Sequence, residues 1–406
     1  MYKWLWKLMP LLIPVVSFSA SCTPENKQTQ NWDSELTLMW TPTNPGSFSE
    51  KEQKDFLELL STKFNQIKNS KPNLNSKPNV KFNFNIVGDP SKYYGTFESG
   101  NDKNDFILLN YKYLLSKKQD ELLPAVSQTQ TLNFIWNNND VIYKNDDINL
   151  INKLFLAAQK ENELQLENPQ IGNYPVDWVK PEIKKILSYD GGKYSYFYQK
   201  ASQSNSFTDS YRGAILIAGN KETRDEITKA WLNKDWEAFR KFGIIFEKEN
   251  SISKYSLPRN LLSLNFGKSI QEIDTYLKNN TEDVVKGKKP RDLLGILQSN
   301  KKTFNIAFDD EGVFNWTKAE KQLFKPTNYP DSQVRVLTFT DSLKYPVILA
   351  RNYLNLEQVE IMKEVLSSLT YDENTYGLYS GFNQFKNLSN QELFSEIQKE
   401  KELLQR

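Results

Sequence analysis

This chain of 406 residues predicts a two-lobed α/β protein. Three observations carry that expectation. A leader for export ends in the only cysteine. A strand–helix–strand pattern opens near Leu36, and a second opens near Tyr211. Residues 22–406 also exceed what one hydrophobic core usually organises. The lobes are expected at 36–208 together with 341–406, and at 209–340.

In the leader, Lys3 and Lys7 precede an apolar run that closes in Ser19-Ala20-Ser21-Cys22. Small residues there admit a signal peptidase, and the freed Cys22 thiol is then the expected carrier of lipid such as palmitate. Pro10 and Pro14 break the run, which is too short for a comfortable spanning helix. The expected place is the extracytoplasmic face of the cell membrane. Residues 23–35, polar from Thr23 to Asp33, read as a tether.

Composition excludes several chemistries. One cysteine allows no intramolecular disulfide, and the lack of any histidine removes serine–histidine and cysteine–histidine nucleophiles. The commonest zinc ligand is missing too, and no metal site is expected. The formal charge of +2 falls to about zero without Lys3 and Lys7, so nothing calls for a nucleic-acid partner. No glycine-rich P-loop occurs, and neither catalysis nor a catalytic cofactor is expected.

The first unit begins with Leu36–Trp40, which alternates as a strand, and a loop Thr41–Gly46 containing Asn44 leaves its end. Phe56, Leu57, Leu60, Phe64 and Ile67 recur at three and four, so a helix with one apolar stripe follows. Val80, Phe82, Phe84 and Ile86 alternate in a second strand, and the loop Gly88–Gly100 carries Tyr93 and Tyr94. Asp105–Asn110 and Thr131–Trp136 read as buried strands. Residues 138–204 read as elaboration on this lobe, with a helix near Leu150–Glu163 and an aromatic tract, Tyr189–Tyr198, that includes Tyr196.

The second unit opens at Tyr211-Arg212-Gly213 and runs into the apolar strand Gly213–Gly219. A helix follows with Ile227, Ala230 and Trp231 on one side, then a helical segment from Lys234 and a strand Phe242–Phe246. Next come Ser251, Ser253, Tyr255, Ser256 and Pro258, hydroxyl-bearing residues between a strand and a helix. Ser256 is placed to cap that helix, with Pro258 in its first turn. A helix start offers unpaired N–H groups and a positive dipole end, so this turn reads either as an anion cradle or as an ordinary capped helix.

Beyond it, Thr281–Gln298 reads as helical and basic, and Phe304–Asp309 as a strand. Asp309-Asp310-Glu311-Gly312 reads as a solvated turn, since the ligand alternation of a calcium loop is absent. Val334–Thr340 returns toward the first lobe, whose sheet resumes at Pro346–Ala350. A helix spans Leu356–Leu369, and Ser389 with Glu392 forms a capping-box start for the last helix.

From the lipobox, LTLMWTPTN, Tyr211–Ile217, the Ser251-x-Ser253-x-Tyr255-x-x-Pro258 turn and Thr338–Val347, the mature chain resembles the p37-type high-affinity transport lipoproteins of mycoplasmas. These are relatives of the phosphonate-type substrate-binding proteins of ABC importers. The resemblance implies a type II periplasmic-binding-protein-like fold with its ligand cleft between lobes. It implies thiamine pyrophosphate or thiamine as transported ligand, and a membrane permease with its ATPase as partners. In the wider family an equivalent serine turn with glycine where Lys254 stands receives the anionic group.

On that reading Ser251, Ser253 and the start at Ser256 hold diphosphate, while Trp40, Tyr93, Tyr94, Tyr196, Tyr198, Tyr211 or Tyr255 are the aromatic candidates. Asp209 balances the thiazolium charge, and Asn44, Asp309 and Thr340 complete the candidate set. Phosphonate or inorganic phosphate is the alternative ligand. The rival classes are a surface adhesin and a glycosidase, for which no pair of acids stands out.

Overall fold

The computed structural model describes residues 31–41, 48–136, 149–167, 197–298, 301–313, 324 and 331–405. Cys22, Asn44 and Tyr196 lie outside them. Strands β1 (Glu35–Trp40), β2 (Lys81–Ile86), β3 (Phe106–Leu109), β4 (Ala125–Leu132) and β5 (Phe207–Thr208) start one sheet. The chain then builds a second from β6 (Ser210–Gly219), β7 (Ile244–Phe246), β8 (Val284–Lys286), β9 (Ile306–Asp310) and β10 (Gln333–Lys344). It returns to the first through β11 (Val347–Ala350) and β12 (Gln384–Asn387). The orders are β12-β4-β11-β3-β1-β2, with β5 on β4, and β10-β6-β9-β7-β8.

The expected opening holds. β1 pairs in parallel with β2 and β3, and helix α1 (Glu50–Ser70) covers them with Phe56, Leu60 and Phe64. Ser49 and Glu52 close a capping box at its start. Helix α2 (Leu150–Glu167) runs four residues past the expected end, and it lies against β10 with Leu150, Leu154 and Ala158 in the core of the second sheet, so it elaborates that sheet and not, as expected, the first lobe. In the second sheet, the strand from Ala214 to Ala218 is fully enclosed, and helix α3 (Lys221–Leu232) adds Ile227, Ala230 and Trp231 to its core.

Two further elements differ from expectation. The strand placed at Thr131–Trp136 is β4, which starts at Ala125 and ends at Leu132. Its middle is polar yet buried because neighbours satisfy it: Ser127 Oγ donates to the Lys386 carbonyl at 2.8 Å, and Thr129 Oγ1 to that of Pro346 at 2.6 Å. Gln128 Nε2 reaches the Tyr345 carbonyl at 2.8 Å. The segment Thr281–Gln298 is not a helix. It holds β8 and one helical turn, Pro290–Leu293, while the amphipathic helices lie before it as α4 (Leu257–Phe266) and α5 (Ile270–Asn279). Val284 pairs with Ile244 as a parallel strand edge, which local charge does not foretell.

Helix α6 (Leu356–Ser367) packs on the first sheet. The last helix, α7 (Asn390–Gln405), has the expected capping box, in which Ser389 N–H donates to Glu392 at 2.8 Å. Its Leu393 and Ile397 lie on the first-sheet core, whereas Leu403 packs with Leu257 and Leu343 near the second sheet. No described helix is long and apolar enough to cross a membrane.

Candidate functional site

Among the described strands, consecutive ones change sheet at two short connections: Asp209 between β5 and β6, and Tyr345-Pro346 between β10 and β11. They are tied together. Tyr345 N–H donates to the Asp209 carbonyl at 2.8 Å, and Lys344 Nζ meets Asp209 Oδ1 at 2.8 Å. Register places the C-terminal end of β3 beside one connection, through Val347 opposite Leu109, and that of β9 beside the other, through Gly213 opposite Asp310. In open α/β sheets that is the end at which ligands bind.

The exit of β9 is charged and largely buried, which corrects the expectation of a solvated turn. Lys254 Nζ lies 2.7 Å from Asp309 Oδ1 and 2.9 Å from Asp310 Oδ2. Burial works against the Lys254 ammonium, but the two carboxylates outweigh it and raise its pKa. Ser253 Oγ donates to Asp310 Oδ1 at 2.7 Å. One step along, Glu311 accepts Trp136 Nε1–H at 3.0 Å and lies 3.6 Å from Arg212. Three carboxylates therefore face two cationic side chains.

Aromatic rings adjoin this cluster. Phe134 stacks on Trp136 at 4.4 Å and on Tyr198 at 4.7 Å, and Tyr211 lies 5.0 Å from Tyr345. Gly312 is what lets the Phe134 ring approach: its φ is +67°, and an added Cβ would fall 2.2 Å from that ring. Gly213 plays the same part on the other side, where an added Cβ would meet the Ser253 carbonyl oxygen at 2.1 Å. On α2, Glu161 is buried and its Oε2 has no hydrogen-bond partner. Burial, and then the nearby Glu311, push its pKa well up.

The turn Ile252–Ser256 is a π-helical turn leading into α4. Ser251, not Ser256, is its cap: Ser251 Oγ accepts the Lys254 N–H at 3.2 Å, and Ser256 N–H donates to the Ser251 carbonyl at 3.2 Å. Ser256 makes no side-chain cap bond: its helical dihedrals continue the preceding turn into α4, where a cap needs extended backbone, and Pro258 has no N–H to offer it.

The other candidates separate. Trp40 is walled in by Tyr376 at 4.7 Å and Phe84 at 5.5 Å, so its ring belongs to the first core and not to a ligand surface. Tyr94 is buried with its hydroxyl toward Glu98. Tyr255 is buried against Phe246 and donates to Asp274 at 2.8 Å. Tyr93 is exposed. Thr340 is buried, where its Oγ1 accepts Gly213 N–H at 2.8 Å. It is aimed there by a register shift of β10 between Phe339 and Ser342. Asp209 already has Lys344 as counter-ion: burial would raise its carboxyl, but Lys344 holds it below the ordinary range. Ser251, Ser253, Asp309 and Tyr211 gather at the cluster, together with Tyr198 by way of Phe134. Phe134, Trp136, Glu161, Arg212, Lys254 and Glu311 were not among the expected site residues.

Two α/β sheets joined in this way give a fold of the periplasmic-binding-protein type. The family model described as "Extracytoplasmic thiamine-binding lipoprotein" (CypI) matches residues 54–401, and the chain belongs to that family. It is thus an extracytoplasmic, lipid-anchored protein that binds its ligand and does not transform it. The chain is 27% identical over 395 residues to the high affinity transport system protein p37 of Mesomycoplasma hyorhinis, with 92% of each covered. The p37 protein of Mycoplasma pneumoniae is 26% identical over 340 residues, 79% of this chain and 82% of that one. A solved structure of Mycoplasma hyorhinis Mh-p37, described as a candidate thiamine pyrophosphate transporter, matches 91% of this chain and 99% of that one. Its TM-score is 0.73 at 24% identity.

Proposed function

We propose that this protein captures thiamine or thiamine pyrophosphate in a crevice between two lobes, one built on each sheet with α2 in the second, and presents it to an ABC permease driven by a paired ATPase. Family membership across residues 54–401 carries this reading. The crevice lies at the two connections, and the lobes close on the ligand. Thiamine joins a flat aminopyrimidine to a cationic thiazolium ring. Such a molecule needs aromatic faces beside carboxylate, and the half-buried Tyr198 and Tyr211 beside Asp310 and Glu311 offer that combination, with Phe134 packed behind Tyr198. The anchor is lipid on Cys22.

Native mass spectrometry of the protein as purified tests the reading. A retained species with the mass of thiamine or a thiamine phosphate is expected. A protein that retains neither, and whose melting neither compound shifts, overturns the reading.

A further inference from the structure

The turn from Ser251 to Ser256 carries the parts of an oxyanion cradle: three serine hydroxyls, an ammonium and the start of a ten-residue helix. The protein's own groups engage the central ones, the Ser253 hydroxyl and the Lys254 ammonium. Ser253 donates to Asp310 at 2.7 Å, and Lys254 is held by Asp309 at 2.7 Å and Asp310 at 2.9 Å. The amides are used as well, with Lys254 N–H on Ser251 Oγ, Ser256 N–H on the Ser251 carbonyl and Leu257 N–H on that of Ile252. An entering oxyanion must displace Asp310 and face two carboxylates against one ammonium.

We propose that Asp310 is a specificity-determining residue: its carboxylate occupies from within the donors a tetrahedral oxyanion needs, so this turn refuses inorganic phosphate and phosphonates. The geometry gives the reason. Among the described residues, Asp310 is the side chain bonded to both the Ser253 hydroxyl and the Lys254 ammonium, whereas Asp309 reaches only the ammonium. Gly213 keeps the Ser253 backbone against β6, so the turn does not swing away to offer its hydroxyl elsewhere. Together with the ligand reading above, on which this part rests, the crevice selects its ligand by the cationic ring portion. Any phosphate tail finds no seat at Ser253.

The test uses the full domain with two substitutions, Asp310→Ala, which removes the group, and Asp310→Asn, which keeps its shape and loses its charge. Circular dichroism and thermal midpoints establish folding. Calorimetric and thermal-shift titrations then use inorganic phosphate and methylphosphonate, and separately thiamine and thiamine pyrophosphate. The unsubstituted protein is expected to show no saturable phosphate binding. The substituted proteins are expected to gain it, and their preference for the pyrophosphate over thiamine to rise by about tenfold. Saturable phosphate binding by the unsubstituted protein that Ser253→Ala weakens overturns the proposal. So does a folded Asp310 variant with no phosphate response and an unchanged preference. The phosphate arm needs no thiamine, so failure to bind thiamine counts against the ligand reading alone.

Discussion

The backbone N–H of Lys344 donates to the Glu400 carboxylate at 2.6 Å, so the last helix grips the strand that leads from the second sheet back to the first. The same Lys344 sends its ammonium to Asp209 on the other connection. Leu403, one turn beyond Glu400, packs with Leu257 and Leu343. Helix α7 thus clasps both sides of the place where the sheets are joined.

Glu400 makes that clasp sensitive to pH. Burial raises its carboxyl from 4.5 to about 7; the Lys344 amide and ammonium oppose the rise and Glu396 adds to it. Between those values the folded protein holds the proton more tightly than the unfolded chain, so stability falls as pH rises through the window. The expected loss is about 3 kcal/mol in all. Denaturant melts at several pH values check this, with Glu400→Gln expected to flatten the slope. The carboxyls of Asp209 and Asp283 are held low and act in the opposite sense at lower pH, where stability is lost as they protonate.

Gly312 is expected to be intolerant of a side chain. Gly312→Ala places a Cβ against the Phe134 ring at a left-handed φ, and a cost of about 2 kcal/mol is expected from strain and displaced stacking. Gly88→Ala, with nothing within 4 Å of the added carbon, serves as the control and is expected to change stability by less than about 0.5 kcal/mol. Chemical denaturation of both variants decides.

The fold was readable where burial follows local pattern. Alternation at Leu36–Trp40 and the three–four spacing of Phe56, Leu60 and Phe64 report which side of an element is buried, and both elements stand where expected. β4 escaped because Ser127, Gln128 and Thr129 are satisfied by residues more than two hundred positions away, which no local window contains. The site escaped for the same reason. Ser253 and Asp309 could be singled out by type, but Lys254 meets Asp309 across 55 positions and Trp136 meets Glu311 across 175. Trp40 shows the converse: an aromatic ring at a strand end near a loop reads as a ligand platform, and only the surrounding rings reveal it as core.

Glu311 is expected to matter by its charge. Glu311→Gln keeps an oxygen to accept the Trp136 N–H while removing the negative charge beside Arg212. A cationic ligand is expected to bind about tenfold more weakly, about 1.4 kcal/mol, with little change for a neutral aminopyrimidine. Paired dissociation constants for thiamine and that neutral fragment, on a variant with an unchanged melting point, provide the check.

The most direct measurement is a calorimetric titration of the ligand-stripped domain with thiamine, followed by thiamine pyrophosphate in competition. The account predicts saturable one-to-one binding of thiamine, competition by its pyrophosphate for the same site, and a smaller radius of the liganded protein as the lobes close. A folded domain that gives neither heat nor compaction with thiamine or its pyrophosphate, yet responds to inorganic phosphate or methylphosphonate, would contradict it.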